Sequence, residues 1–201
     1  MRDDLRKNRQ TLKALFDNII VTDGKGVVFS IDEALENLVN MVNEKARSGG
    51  KLLFIGNGAS ASIASHMAAD FWKNAGVRAI SFNDSALLTC VSNDYGYKHV
   101  FEKPIEMFAD KGDILFAISS SGESENILRG ARMARKKEAG VITLSGFDNN
   151  NSLRVLGDIN LYVPSSSYGH VEVVHHSICH SVLDTAVCEK NKKSIAKELV
   201  K

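Results

Sequence analysis

Apolar positions in the first fifty residues recur at helical intervals. Leu5, Leu12, Leu15, Phe16, Ile19 and Ile20 predict a helix over residues 2–20, which the stretch TDGKGVV interrupts. A second helix is predicted from a capping-box pair, Ser30 and Glu33, and Gly49 supplies its stop. Its apolar face is Ile31, Ala34, Leu35, Leu38, Val39 and Val42. After Gly50 the rhythm changes to short apolar runs that alternate with helical segments. KLLFI (51–55), VRAISF (77–82), DILFAIS (113–119), VITLS (141–145) and INLYV (159–163) read as strands. Helices are predicted to about Asn74, near 84–91 and from about His99 to Ala109. Another runs from the SSGES turn to about Glu138, ended by Gly140, and a long one starts at about His170. DILFAIS is nearly all apolar, as expected of a strand covered on both faces. Strands joined by helical crossovers predict an α/β three-layer sandwich with a parallel sheet, preceded by N-terminal helices. Ligands in such sheets collect at the carboxyl ends of the strands.

At 201 residues the chain fits one domain spanning residues 1–201, with residues 1–49 as an N-terminal helical extension. The formal net charge of +1 argues against nucleic-acid binding through phosphate contacts. An acidic small ligand must then be held by local geometry. Cys90, Cys179 and Cys188 are odd in number and lack metal-like spacing, which suits a reducing compartment. The charged start MRDDLRKNRQ is followed by no apolar run long enough for a signal peptide or a membrane span. The expectation is a cytoplasmic protein with no membrane role.

Two turns and one stripe carry candidate chemistry. AISSSGESENI places Ser119, Ser120, Ser121 and Ser124 around Gly122, between a buried strand and a helix. A helix N-terminus offers unpaired N–H groups and the positive end of its dipole, and hydroxyls add donors without charge, so the turn is a phosphate-binding candidate. Capping the helix would need one hydroxyl, not four. GNGASAS, the earlier turn, is neither a dinucleotide fingerprint nor a P-loop. His66 and Asp70 share a helix face, and Glu172, His176 and His180 recur every four residues on another. If the two faces meet, they supply imidazoles and carboxylates either for a divalent metal or for proton transfer. Spacing alone does not choose between His176 and His180. The bland alternative is a pair of core histidines satisfied by hydrogen bonds.

GNGASASIASHMAAD, SNDYGYKHVFEKPIE, KGDILFAISSSGESENIL, GVITLSG and VEVVHHSICH, in this order, resemble the phosphoheptose isomerase family of sugar-isomerase (SIS) domain proteins. The resemblance extends over nearly the whole chain and is weakest at residues 20–30. It implies a flavodoxin-like SIS fold and a homotetramer with sites between subunits. The implied reaction interconverts sedoheptulose 7-phosphate and glycero-manno-heptose 7-phosphate through an enediol, for lipopolysaccharide, capsule or related heptose synthesis. Ser119, Ser120, Ser121 and Ser124 would hold the phosphate, and Asn57, Ser60, Asp94 and Glu172 would contact the sugar. Asp70 and His180 match the catalytic positions, with Asp70 acting at C2. A zinc ion would be held by His66, Asp70, Glu172 and His180. The usual glutamate base is Asp70 here, a frequent glutamine ligand is Glu172, and a substrate-facing arginine is Asn74, with Lys73 beside it. Another phosphosugar isomerase or lyase, and a noncatalytic phosphosugar-binding regulator, remain the alternatives.

Overall fold

The structure, a computed structural model, describes residues 1–198, with side chains through residue 192. In chain order it contains α1 (Arg2–Asp17), β1 (Ile20–Asp23), β2 (Val28–Phe29), α2 (Ile31–Ser48) and β3 (Lys51–Gly56). Next come α3 (Ala59–Asp70), a π-helical turn (Phe71–Ala75), β4 (Arg78–Ser81) and α4 (Ser85–Tyr95). A short 3-10 turn at Tyr97–His99 leads to α5 (Glu102–Phe108), β5 (Ile114–Ser119), α6 (Glu125–Lys136) and β6 (Gly140–Ser145). A second 3-10 turn (Ser152–Val155), β7 (Ile159–Tyr162) and α7 (Tyr168–Glu198) complete the fold.

One sheet holds all seven strands in the order β2-β1-β7-β6-β5-β3-β4. The five strands from β4 to β7 pair in parallel. Counted along the chain from β3, their spatial order is the 2-1-3-4-5 of flavodoxin-like sheets. Strand alternation explains the apolar runs. Leu52, Phe54, Ile114, Phe116 and Ile118 pack with α1, α2, α3 and α7 on one face. Leu53, Ile55, Leu115 and Ala117 pack with α4, α5 and α6 on the other. Every residue of β5 is buried, so its sequence has no polar stripe.

The N-terminal segment is not purely helical. The predicted first helix ends at Asp17, and Ile20 opens β1, which pairs antiparallel with β7 on one side and β2 on the other. TDGKGVV is a hairpin turn in which the Asp23 carboxylate accepts N–H bonds from Lys25 and Val27, both at 2.8 Å. Ile19 and Ile20 continue a helical period, but pairing against β7 outweighs that local pattern. The second helix is capped as its sequence indicates: the Ser30 hydroxyl accepts the Glu33 N–H, and Gly49 is left-handed at φ 73°. Gly140 does not end a helix; α6 stops at Lys136 and Gly140 opens β6. The helix expected from His99 is divided between the short 3-10 turn and α5.

Candidate functional site

The turns after β3 and β5 lie at the point where the chain leaves adjacent parallel strands toward opposite faces. From β3 it passes into α3, on the α7 side, and from β5 into α6, on the other. Diverging connections of this kind open a crevice at the strand ends. A pocket of about 260 Å³ fills it, lined by Asn57 and Ser60 from the first turn, the four serines from the second, and Tyr168 and Glu172 from α7.

The serine turn is fixed from within and from behind. The Ser119 hydroxyl accepts the Gly122 N–H at 3.2 Å, and the Ser121 hydroxyl accepts the Glu123 N–H at 3.2 Å. Gly122 adopts φ +67°, and any Cβ there would run into the buried side chain of Asn151. Ser124 is the N-cap of α6, yet its hydroxyl makes no capping bond. That hydroxyl accepts a long 3.4 Å bond from the Ser119 hydroxyl and keeps its own proton to offer an anion at the positive end of α6.

An amide network braces the crevice. The side chains of Asn57 and Asn126 exchange two hydrogen bonds of 2.9 Å, and the Tyr97 hydroxyl donates to Asn57 at 3.0 Å. Asn126 is buried and also accepts the Ile127 N–H at 3.0 Å. Asn126, Tyr97 and Tyr168 were not singled out from the sequence; the available signal for Asn126 was its place in the first turn after the serines.

The second chemical group lies farther along α3 and α7, which pack side by side. His66, His176 and His180 bring one nitrogen each to within 4.8 Å of one another. Their ring centroids are 5.4 Å apart for His66 and His176, 5.6 Å for His66 and His180, and 4.8 Å for His176 and His180. The Asp70 carboxylate reaches His66 Nε2 at 3.3 Å and Lys73 Nζ at 3.3 Å, immediately before the π-helical turn. His176 is held below the ordinary histidine pKa, first by burial and then by His180 and His66, against an opposing effect of Asp70. Its Nε2 is buried and has no hydrogen-bond partner. An orphaned nitrogen facing two further imidazoles fits a divalent transition metal.

The sequence-selected residues thus divide between two places. Asn57, Ser60, Ser119, Ser120, Ser121, Ser124 and Glu172 line the pocket. His66, Asp70 and His180 meet between α3 and α7. Glu172 stands one turn before His176 and outside the convergent histidine group. Asp94 is exposed on α4, where it accepts a 2.9 Å bond from the Asn93 amide, and does not line the pocket. Asn74 is exposed in the π-helical turn.

The SIS domain family profile matches residues 25–146. A phosphoheptose isomerase of Helicobacter hepaticus is 36% identical over 163 residues, covering 78% of this chain and 83% of that protein. The chain belongs to the phosphoheptose isomerase family of SIS-domain proteins. Its fold agrees: a phosphoheptose isomerase structure from Francisella tularensis superimposes with a TM-score of 0.80 at 27% identity, covering 94% of this chain and 98% of that one. The enzyme of the same name from Neisseria gonorrhoeae gives a TM-score of 0.79 at 25% identity, covering 92% and 97%. In this SIS-domain chain, then, the serine turn stands at the switch point of the sheet and the histidines stand along its flank.

Proposed function

We propose that this chain is a phosphoheptose isomerase that interconverts sedoheptulose 7-phosphate and D-glycero-D-manno-heptose 7-phosphate. The observation that carries this reading is the serine turn, whose N-cap hydroxyl does not cap α6, in a pocket lined also by the starts of α3 and α7, the two helices that carry Asp70 and the histidines. Family membership supplies the reaction class, and the geometry supports the following division of labour.

The serine turn holds the phosphate through N–H groups, hydroxyls and the helix dipole, so binding energy at one end of the sugar orients the other. Asp70 removes a proton from C1 of the ketose, forming a cis-enediol, and returns a proton at C2 to give the aldose. His180 manages the proton that passes between the oxygens of those two carbons. Lys73, 3.3 Å from Asp70, orients the carboxylate. The histidines between α3 and α7 would hold a divalent metal, which when bound would supply Lewis-acid polarisation of the carbonyl.

A cytoplasmic homotetramer, supplying heptose for lipopolysaccharide or capsule, belongs to the same reading. In its support, α4 buries none of its residues, and Trp72, Tyr95 and Tyr97 are exposed near the site. Among the described residues no helix is long and apolar enough to cross a membrane. Light scattering is expected to give the mass of four chains; a monomer would remove the shared-site part of the proposal.

The deciding experiment is turnover of sedoheptulose 7-phosphate in deuterium oxide, followed by NMR. Heptose 7-phosphate carrying deuterium at C2 is expected. Phosphate-dependent binding of the sugar with no turnover and no exchange would replace the isomerase with a phosphosugar-binding regulator.

A further inference from the structure

The residues that the resemblance assigns to a metal are His66, Asp70, Glu172 and His180, but the folded chain gathers a different set. Among the described residues, the convergent group of potential ligands is His66, His176 and His180, and neither carboxylate belongs to it. Glu172 faces the serine pocket, and Asp70 is engaged with Lys73 and the edge of His66.

We propose that this chain holds its divalent transition metal through three imidazoles, His66, His176 and His180, and leaves Asp70 outside the coordination sphere. His176 and His180 are one turn apart on α7, so the helix sets both on one face without any loop to order. His66 meets them from α3, and its ring lies edge-on to His176 at 89°. Tetrahedral ligand nitrogens at bond lengths of about 2.0–2.1 Å stand about 3.4 Å from one another. The present spread of up to 4.8 Å therefore closes by side-chain rotation. The buried, unpartnered Nε2 of His176 gains a partner in doing so. Three protein ligands also leave a fourth position for substrate oxygen, as in catalytic zinc sites.

The consequence for Asp70 rests on the isomerase reading; the coordination itself does not. With the metal satisfied by imidazoles, Asp70 stays available as the base, and His180 passes from proton transfer to coordination. Asp70 then acts on the metal only as an outer partner through His66.

The test is cobalt(II) and zinc titration of the purified full chain, by visible absorption and calorimetry, with no sugar present. His176→Ala is expected to weaken zinc binding by more than about 100-fold, exceeding the roughly 10–100-fold that loss of an outer partner costs, whereas Asp70→Asn stays within that lower range. His176→Cys is expected to retain cobalt and to gain a thiolate-to-cobalt charge-transfer band, a signal that a merely structural residue would not produce. Should His176→Ala fail to fold, His176→Cys carries the decision. Native affinity in H176A, no charge-transfer band in H176C, a larger loss in D70N than in H176A, or no metal binding by the native chain would each overturn the proposal. Turnover of sedoheptulose 7-phosphate is scored separately. Isomerisation without metal binding removes the three-histidine site and keeps the isomerase, while three-histidine binding without turnover does the reverse.

Discussion

The serine turn and the histidine cluster are built in opposite ways. In the turn, backbone and short side chains do the work: Ser119 and Ser120 are buried, Gly122 is locked against Asn151, and no charged side chain of the turn lines the pocket. In the cluster, long titratable side chains from two helices more than 100 residues apart in sequence converge on a flank where His66 is 53% exposed. The contrast teaches that the serine turn is preorganised by the fold, whereas the histidine side chains have still to be drawn together; under the proposed function the first would grip the substrate's handle and the second would meet its reacting end.

The largest effect that tests this separation is expected from Asp70→Asn. Loss of a general base should lower kcat by about 10²–10⁴-fold while leaving KM nearly unchanged. Steady-state kinetics on the heptose phosphates check it, and a parallel rise in KM would mean that the two regions are not separable. Ser124→Ala should act in the opposite sense. Its hydroxyl is not used to cap α6, so its removal costs a hydrogen bond to a charged phosphate, about 1.5–3 kcal/mol, or roughly 10–100-fold in KM with kcat retained. Inorganic phosphate competition gives an independent reading of the same loss.

A smaller effect should come from a residue that ties α7 to the carboxyl end of β6. His175 on α7 is fully buried, donates from Nε2 to the Ser145 carbonyl at 3.1 Å, and is pushed by burial down to about 4. The folded state therefore binds fewer protons there than the unfolded chain between about pH 6.5 and 4, and stability falls as pH falls through that window. For the metal-free protein the loss between neutral pH and pH 5 should be about 2 kcal/mol, measured by denaturant midpoints. His175→Gln should remove that component of the slope; an unchanged slope would place the acid sensitivity elsewhere.

What was legible in the sequence follows the same division. The strands β3 to β7 and the serine turn are local patterns, and the fold kept them: the apolar run at 114–119 became the fully buried β5. The N-terminal hairpin was hidden because Ile19 and Ile20 satisfy a helical period, and only β7, some 140 residues later, makes Ile20 the first residue of a strand. His176 and His180 could not be ranked because both lie on one α7 stripe, and their relation to His66 is set by helix packing rather than spacing. Asp94 is a position that one chain does not bring to the pocket. Within one chain it stays on the exposed face of α4, away from the pocket.

The unbroken course of α7 has one more consequence. Glu172 lines the serine pocket at its first turns, and His176 and His180 follow about 6 and 12 Å farther along the axis at 1.5 Å per residue. A hydrogen-bonded helix does not stretch, so the distance from the serine pocket to the imidazoles is a fixed ruler. Under the proposed function a sugar phosphate seated in the serine turn would be measured against it, and each carbon removed from its backbone would withdraw the carbonyl from the histidines. Chain-length selection would then need no wall at the far end of the site, only a handle held firmly and a reactive group placed at one set length away.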